Sequence, residues 1–291
     1  MTFQKRRSLT GLAFLAPYAV SFLAFIVLPI VVAGVLAFMQ FDLTAKSSIR
    51  FVGFQNFKDA WGDEYFWSSL KATFWFVVLM VPGMLVFGLG TAMGLNAMTR
   101  GRSTVRALIF LPGLLNVAVS AILWGWFYDN DFGLFNFVLK KLGIESVGWL
   151  ASTKLAMPSI VVMTLWWTMG GTAIVLLAAL QQIPRHIIEA AALDGAGRGP
   201  MFRLVVFPLL TPVMMFVVIT NTIGAFQVFG QPFLLTNGGP ELSTRGIVQY
   251  IYETAFNNYR LGYGAAMSWM LFAVIAVFAL IQYRLLRRSL A

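Results

Sequence analysis

The chain has 291 residues, 59% of them hydrophobic and 11% charged, with 21 Lys and Arg against 11 Asp and Glu. A soluble domain carries about 25% charged residues, so these charges are too few to coat a water-facing surface; an ordinary soluble enzyme and a disordered chain are both excluded, and an integral membrane protein remains. With no Cys and one His, disulfides and thiol catalysis are excluded, and neither a metal site nor a catalytic cluster is expected.

Charged residues bound six uncharged windows: Ser8 to Phe41, Ala72 to Thr99, Ala107 to Tyr128, Leu155 to Pro184, Leu204 to Pro240 and Leu261 to Tyr283. A helix needs about 20 apolar residues to cross ~30 Å of hydrocarbon, so each window holds one crossing. Runs such as Phe74 to Val81 and Phe272 to Leu280 are apolar on every face. That suits a helix, which closes its own backbone hydrogen bonds in lipid, and not a barrel strand of alternating polarity. The expectation is an all-α integral membrane protein forming one transmembrane domain over 1–291, with spans near 9–39, 72–98, 106–128, 156–180, 204–230 and 262–284.

In chain order, Lys5, Arg6 and Arg7 precede a first window too long for a signal peptide and lacking a small-residue cleavage site. Trp61, Tyr65, Phe66 and Trp67 stand before the second span, and Trp149 before the fourth, as interfacial anchors. Gly90 and Gly94 in the second span form a small-xxx-small pair, with Gly83 and Gly88 nearby, which predicts close helix packing. Pro29, Pro82, Pro112, Pro208 and Pro212 are expected to kink or start helices. With the N-terminus inside, the inner segments carry twelve bases against two acids, Glu189 and Asp194, while the outer segments carry nine of each. The whole positive excess then lies on one side, so both termini are read as cytoplasmic. This also accounts for the basic balance without nucleic acid.

The segment between spans four and five, 181–203, is too polar to cross. Pro184 suits a helix start, Ile187, Ile188, Ala191 and Ala192 share one side, Arg185 and Glu189 lie four apart, and Gly195 and Gly197 end the helix. The residues alone leave open a docking surface or a plain turn. However, Glu189-Ala-Ala-Ala-Leu-Asp-Gly195 followed by Phe207-Pro208 resembles the EAA loop of ABC importer permeases. The closing pair departs mildly from the family's Leu-Pro. The longer form of the motif is similar to the carbohydrate branch, which carries maltose, other oligosaccharides and glycerol-phosphate compounds. Phe51 to Phe57, Phe110-Leu-Pro112, Asp131 to Asn136, Gly224 to Phe229, Leu235 to Pro240 and Gly262 to Ala266 extend the resemblance over nearly the whole chain.

The resemblance implies an importer in the cell membrane of a bacterium or archaeon. This chain and a second, homologous permease form the path, and an extracytoplasmic sugar-binding protein delivers cargo. Two cytoplasmic ATPase subunits hold the ATP and magnesium, and no cofactor sits on this chain. Consistent with that division, the sequence has no Gly-x-x-x-x-Gly-Lys-Ser/Thr phosphate loop. Glu189, Ala190, Ala191, Asp194 and Gly195 are the expected ATPase contacts.

Polar residues inside the spans suggest the cargo path. Asn116, Thr164, Trp166, Trp167, Asn221 and Gln227 are the expected sugar contacts, since amides supply paired donors and acceptors and an indole covers the apolar face of a sugar ring. Interhelical hydrogen bonding is the competing role for the amides. Family resemblance assigns the wall to Asn116, Thr164, Trp166 and Asn221, while Gly113, Val117 and Ala225 depart from the lining of the maltose branch. The outer turn Thr236, Asn237, Gly238 and Gly239 is expected to meet the binding protein. A stand-alone secondary transporter or channel is the alternative; it calls for mid-span charges or broken inverted repeats, and neither is seen.

Overall fold

The computed structural model describes residues 14–42 and 49–288, with side chains to residue 285. Lys5, Arg6, Arg7 and the expected first five residues of span one lie outside the described residues. The chain divides into two compact units, Met1–Glu64 with Ile251–Phe272, and Tyr65–Tyr250 with Ala273–Ala291.

The first unit opens with α1 (Phe14–Ala37), an apolar helix none of whose membrane window is buried within this chain. A two-residue hairpin follows, β1 (Met39–Gln40) antiparallel to β2 (Arg50–Phe51). Next comes α2 (Gln55–Gly62), whose Asn56 donates to the Ala37 and Met39 carbonyls at 2.9 Å each. The end of α1 exposes carbonyls that no further turn satisfies, and this amide supplies the missing donors. Gly262 abuts the Met39 carbonyl so closely that any Cβ would collide with it. The Tyr263 hydroxyl donates to Asp63 at 2.7 Å.

The second unit is built on long helices. α3 (Glu64–Ala97) starts eight residues before the expected span, because Glu64 and Lys71 mark the membrane border without stopping a helix. The third crossing is not one straight helix. α4 (Arg102–Phe110) and a 3-10 turn, Leu111–Leu114, meet α5 (Val117–Phe127) at 99°. Pro112 starts the tight turn, Leu115 and Asn116 are extended, and the Asn116 side chain accepts from Ala118 N at 2.9 Å to begin α5 afresh. α6 (Leu134–Lys141) is short and amphipathic, with Lys140 and Lys141 in its last turn.

α7 (Ala156–Gln182) is the fourth span. α8 (Arg185–Leu193) is the short polar helix that the spacing predicts. α9 (Arg198–Phe226) ends four residues sooner than expected, and α10 (Gly230–Thr236) follows a break. α11 (Ile247–Tyr252) is tied to α3 by Ile247 N donating to the buried Thr73 hydroxyl at 2.8 Å. α12 (Leu261–Arg288) is the last span. Among the described residues, five helices are long and apolar enough to cross a membrane, and the bent pair α4–α5, counted as one span, makes six.

Two crossings contain π-helical turns, Leu23–Val27 in α1 and Met201–Val206 in α9. Each holds the carbonyl four residues before a proline, Phe25 before Pro29 and Leu204 before Pro208. Proline gives that carbonyl no donor and its ring crowds it, so the helix widens there.

The core of this unit packs Ala92 and Leu95 of α3 against Leu176, Leu177 and Leu180 of α7 and Leu210, Met214 and Val217 of α9. Close approach depends on two glycines. A Cβ on Gly88 would meet Thr172 at 2.7 Å, and one on Gly170 would meet the Ile109 carbonyl at 2.6 Å. A Cβ on Gly90 or Gly94 meets nothing within 4 Å. Within this chain the packing glycines of α3 are thus Gly88 and, against Leu165, Gly83, and the expected pair lies on an exposed face.

Candidate functional site

A cavity of about 360 Å³ lies among α3, α5, α7, α9 and α10. Phe76, Met80, Met84 and Val117 form its apolar side. Thr164, Trp167 and Thr168 reach it from α7, where spacings of three and four put them on one face. Thr220, Asn221 and Gly224 reach it from α9. Gln227 joins them because α9 stops at Phe226 and the chain turns, so that Gly230 starts α10 with Gln231 also on the lining. Glycine at 230 permits this return, since a Cβ there would sit 3.2 Å from both Val117 methyls.

The polar groups are held by the helices that carry them. Thr164 donates to Ile160 O at 2.7 Å, Thr168 to Thr164 O at 2.6 Å and Thr220 to Phe216 O at 2.8 Å. Asn221 donates to Val217 O at 2.8 Å and Thr172 Oγ1 at 3.4 Å. The Trp167 indole N–H donates to Leu115 O at 3.0 Å, satisfying a carbonyl left open by the break before α5. All sixteen lining residues are uncharged.

The structure thus brings together four of the six expected contacts, Thr164, Trp167, Asn221 and Gln227. Trp166 turns away, its ring 5.6 Å from that of Trp124 in an aromatic cluster with Phe127, Phe135 and Trp149. Asn116 lies outside the lining and caps α5. Thr168, Thr220 and Gln231 line the cavity although the expected set omits them; their polarity was the signal. Phe76, Met80 and Met84 carry no such signal, because an apolar residue reads alike in a cavity wall, a core or a lipid face.

On the other expected surface, α8 ends as a Schellman motif: Gly195 N donates to Ala192 O at 3.1 Å and Ala196 N to Ala191 O at 2.9 Å. Gly195 has φ +81°, a conformation glycine adopts without cost. Glu189, Ala190, Asp194 and Gly195 are exposed, and Ala191 is half-buried. Leu193, absent from the expected set, is 89% exposed at the helix end. α8 packs against the π-helical turn of α9.

The turn after α10 is ordered by its own threonines. Thr236 donates to Pro232 O at 2.8 Å, its hydroxyl lies 2.7 Å from that of Thr244, and Thr244 donates to Gly239 O at 2.7 Å. Of the four expected binding-protein contacts, Asn237 is exposed, Thr236 and Gly239 are half-buried, and Gly238 is buried. A Cβ on Gly238 would meet Arg245 and Gln249 at 3.0 Å.

Asn136 is fully buried and was missed as a structural hub. It donates to the Asp129, Asn130 and Val147 carbonyls and accepts from Val147 N and Trp149 Nε1, all within 3.4 Å. Among the described residues no group of three His, Asp or Glu is placed to hold a metal ion.

Comparison with known proteins adds independent evidence. Residues 84–290 match the family described as binding-protein-dependent transport system inner membrane component. The chain is 32% identical over 279 residues to the sulfoquinovosyl glycerol transport system permease protein SmoG of Agrobacterium fabrum, covering 96% of this chain and 91% of that one. It is 33% identical over 282 residues to the trehalose/maltose transport system permease protein MalF of Thermococcus litoralis, covering 96% and 94%. In fold it is similar to a chain of a bacterial alginate ABC transporter solved with an alginate pentasaccharide-bound periplasmic protein. The TM-score is 0.86 and the identity 22%, over 98% of this chain and 96% of that one. Six apolar crossings, a polar exposed helix on the EAA sequence and full-length similarity to permeases converge: the chain belongs to the binding-protein-dependent transport system inner membrane components, as a multi-pass permease subunit of an ABC importer and not an enzyme.

Proposed function

We propose that this permease forms half of the path for a sugar. A second, similar permease supplies the other half. The observation that carries the proposal is the cavity wall on which Thr164, Trp167, Asn221 and Gln227 meet, polar yet uncharged, inside otherwise apolar spans. Thr220, Gly224 and Gln227 are exposed on one side of it. Polar side chains facing lipid are costly, so a partner chain and cargo are the natural cover. Relatives that carry sugars support the same cargo class.

The motor is assigned to two cytoplasmic ATPases that bind ATP and magnesium and grip α8 through Glu189, Ala190, Ala191, Asp194 and Gly195. Small alanines allow close approach, and the glycine-terminated turn leaves the helix end open. Closure of the ATPases would move α8 and the π-turned start of α9 together, so that a ligand at one site biases a distant one. A periplasmic binding protein in complex with the similar alginate importer supports delivery from the outer side, where Asn237 is the accessible residue of the turn. The loop charges support a cytoplasmic position for both termini.

The test is co-purification followed by reconstitution. The complex is expected to contain an ATPase whose hydrolysis rises with sugar-loaded binding protein. Glu189→Lys is expected to abolish that stimulation while the spans unfold at the same temperature. Normal transport by the variant, or a complex without an ATPase, defeats the assignment.

A further inference from the structure

The hydrogen-bond directions in the cavity specify more than polarity. Each threonine hydroxyl has one proton, and Thr164, Thr168 and Thr220 all spend it on a backbone carbonyl of their own helix. What they turn to the cavity is lone pairs. Asn221 commits its amide protons to Val217 O and Thr172 Oγ1, which leaves Oδ1, again an acceptor. Trp167 commits its N–H to Leu115 O and offers only its ring. The remaining polar lining side chains, Gln227 and Gln231, are the two that keep donors to offer.

We propose that the cargo stretch lying against this wall is uncharged and rich in hydroxyl donors, and that acidic sugars are rejected here. The inference rests on the sugar-path reading above and narrows it. A neutral sugar brings one O–H donor per hydroxyl to a surface of acceptors, and its C–H faces pack on Trp167 and the apolar side. A carboxylate or sulfonate brings acceptors only. Against this wall it finds mostly lone pairs and no Lys, Arg or His; only the Gln227 and Gln231 amides can donate to it, so most of its desolvation goes uncompensated. The solved importer of similar fold carries the acidic polysaccharide alginate, and the relative SmoG is named for sulfoquinovosyl glycerol, a sulfonate; on this inference the side chains of the wall, and not the fold, separate their cargo from this chain's.

The test uses the complete importer in lipid nanodiscs without binding protein, so that selection upstream of the membrane does not enter. Neutral trisaccharides of glucose and of xylose, and counterparts carrying one terminal uronate, are titrated against tryptophan fluorescence, with Trp167→Phe identifying the cavity signal. A neutral trisaccharide is expected to bind saturably, and its uronate counterpart about tenfold more weakly or worse. Gln231→Arg, which adds a cation to the lining, is expected to narrow that gap by about tenfold. Equal or tighter binding of the uronates by the wild-type complex overturns the inference while leaving a sugar path intact. An unchanged gap in an assembled Gln231→Arg complex also overturns it. If no sugar gives a saturable signal, the sugar-path reading falls and this inference with it.

Discussion

Adjacent residues on the same helix have opposite duties here. Trp166 and Trp167 are separated by about 100° around α7; the first packs on Trp124 and the second lines the cavity while capping the Leu115 carbonyl. Glycines divide in the same way. Gly170→Ala is expected to destabilise the chain by about 1–3 kcal/mol, because its Cβ meets backbone that has no rotamer to yield. Gly90→Ala, with open space around it, is expected to leave stability unchanged or slightly higher. Thermal unfolding of the purified chain in detergent separates the two. Asn136→Ala removes five hydrogen bonds from a fully buried site and strands the Val147 and Trp149 donors. A loss of about 2–4 kcal/mol is expected in the same measurement. A change below 0.5 kcal/mol, within the ordinary range for surface substitutions, contradicts the hub role.

Among the described elements, α8 is one whose exposure calls for a partner. It is nine residues long and caps itself at the C-terminal end, so it can hold its shape while offering Glu189 and Leu193 outward. A leucine 89% exposed at a helix end costs little alone, yet it is a fit anchor for an apolar pocket in a docking cleft. Leu193→Ser is expected to weaken ATPase association by about tenfold, or 1.4 kcal/mol, without altering the unfolding temperature. Binding assays with the isolated ATPase test this, and undiminished affinity excludes Leu193 from the interface. The bend between α4 and α5 depends on a cap of its own. Asn116 begins α5 with its side chain, and Asn116→Ala is expected to cost about 1 kcal/mol through loss of the cap.

For the assembled permease, orientation is the property on which coupling depends. The chain has no cysteine, so single cysteines report accessibility against a silent background. Leu193→Cys and Asn237→Cys both place the thiol on an exposed residue. In cells that make the permeases without their ATPase, a membrane-impermeant maleimide is expected to label Asn237→Cys from outside, whereas Leu193→Cys is labelled only after the inner membrane is opened. The reverse pattern would place α8 away from any cytoplasmic motor.

Composition and charge spacing were enough to establish a six-crossing helical membrane protein, and the EAA run pointed to the right family, because both depend on local order: a span needs only length and apolarity, and α8 needs only its own caps and polarity. Tertiary structure decided much of the rest. The retreat of Trp166 onto Trp124 and the tie from Trp167 to Leu115 across the broken third crossing arise from contacts between distant segments, while the break itself and the retreat of Asn116 into a cap follow from local turn chemistry that hydropathy does not show. Helices apolar on all sides have no amphipathic stripe to announce which face points inward. Packing alone selects that face, and with it the acceptor-rich wall that Thr164, Thr168, Thr220 and Asn221 present.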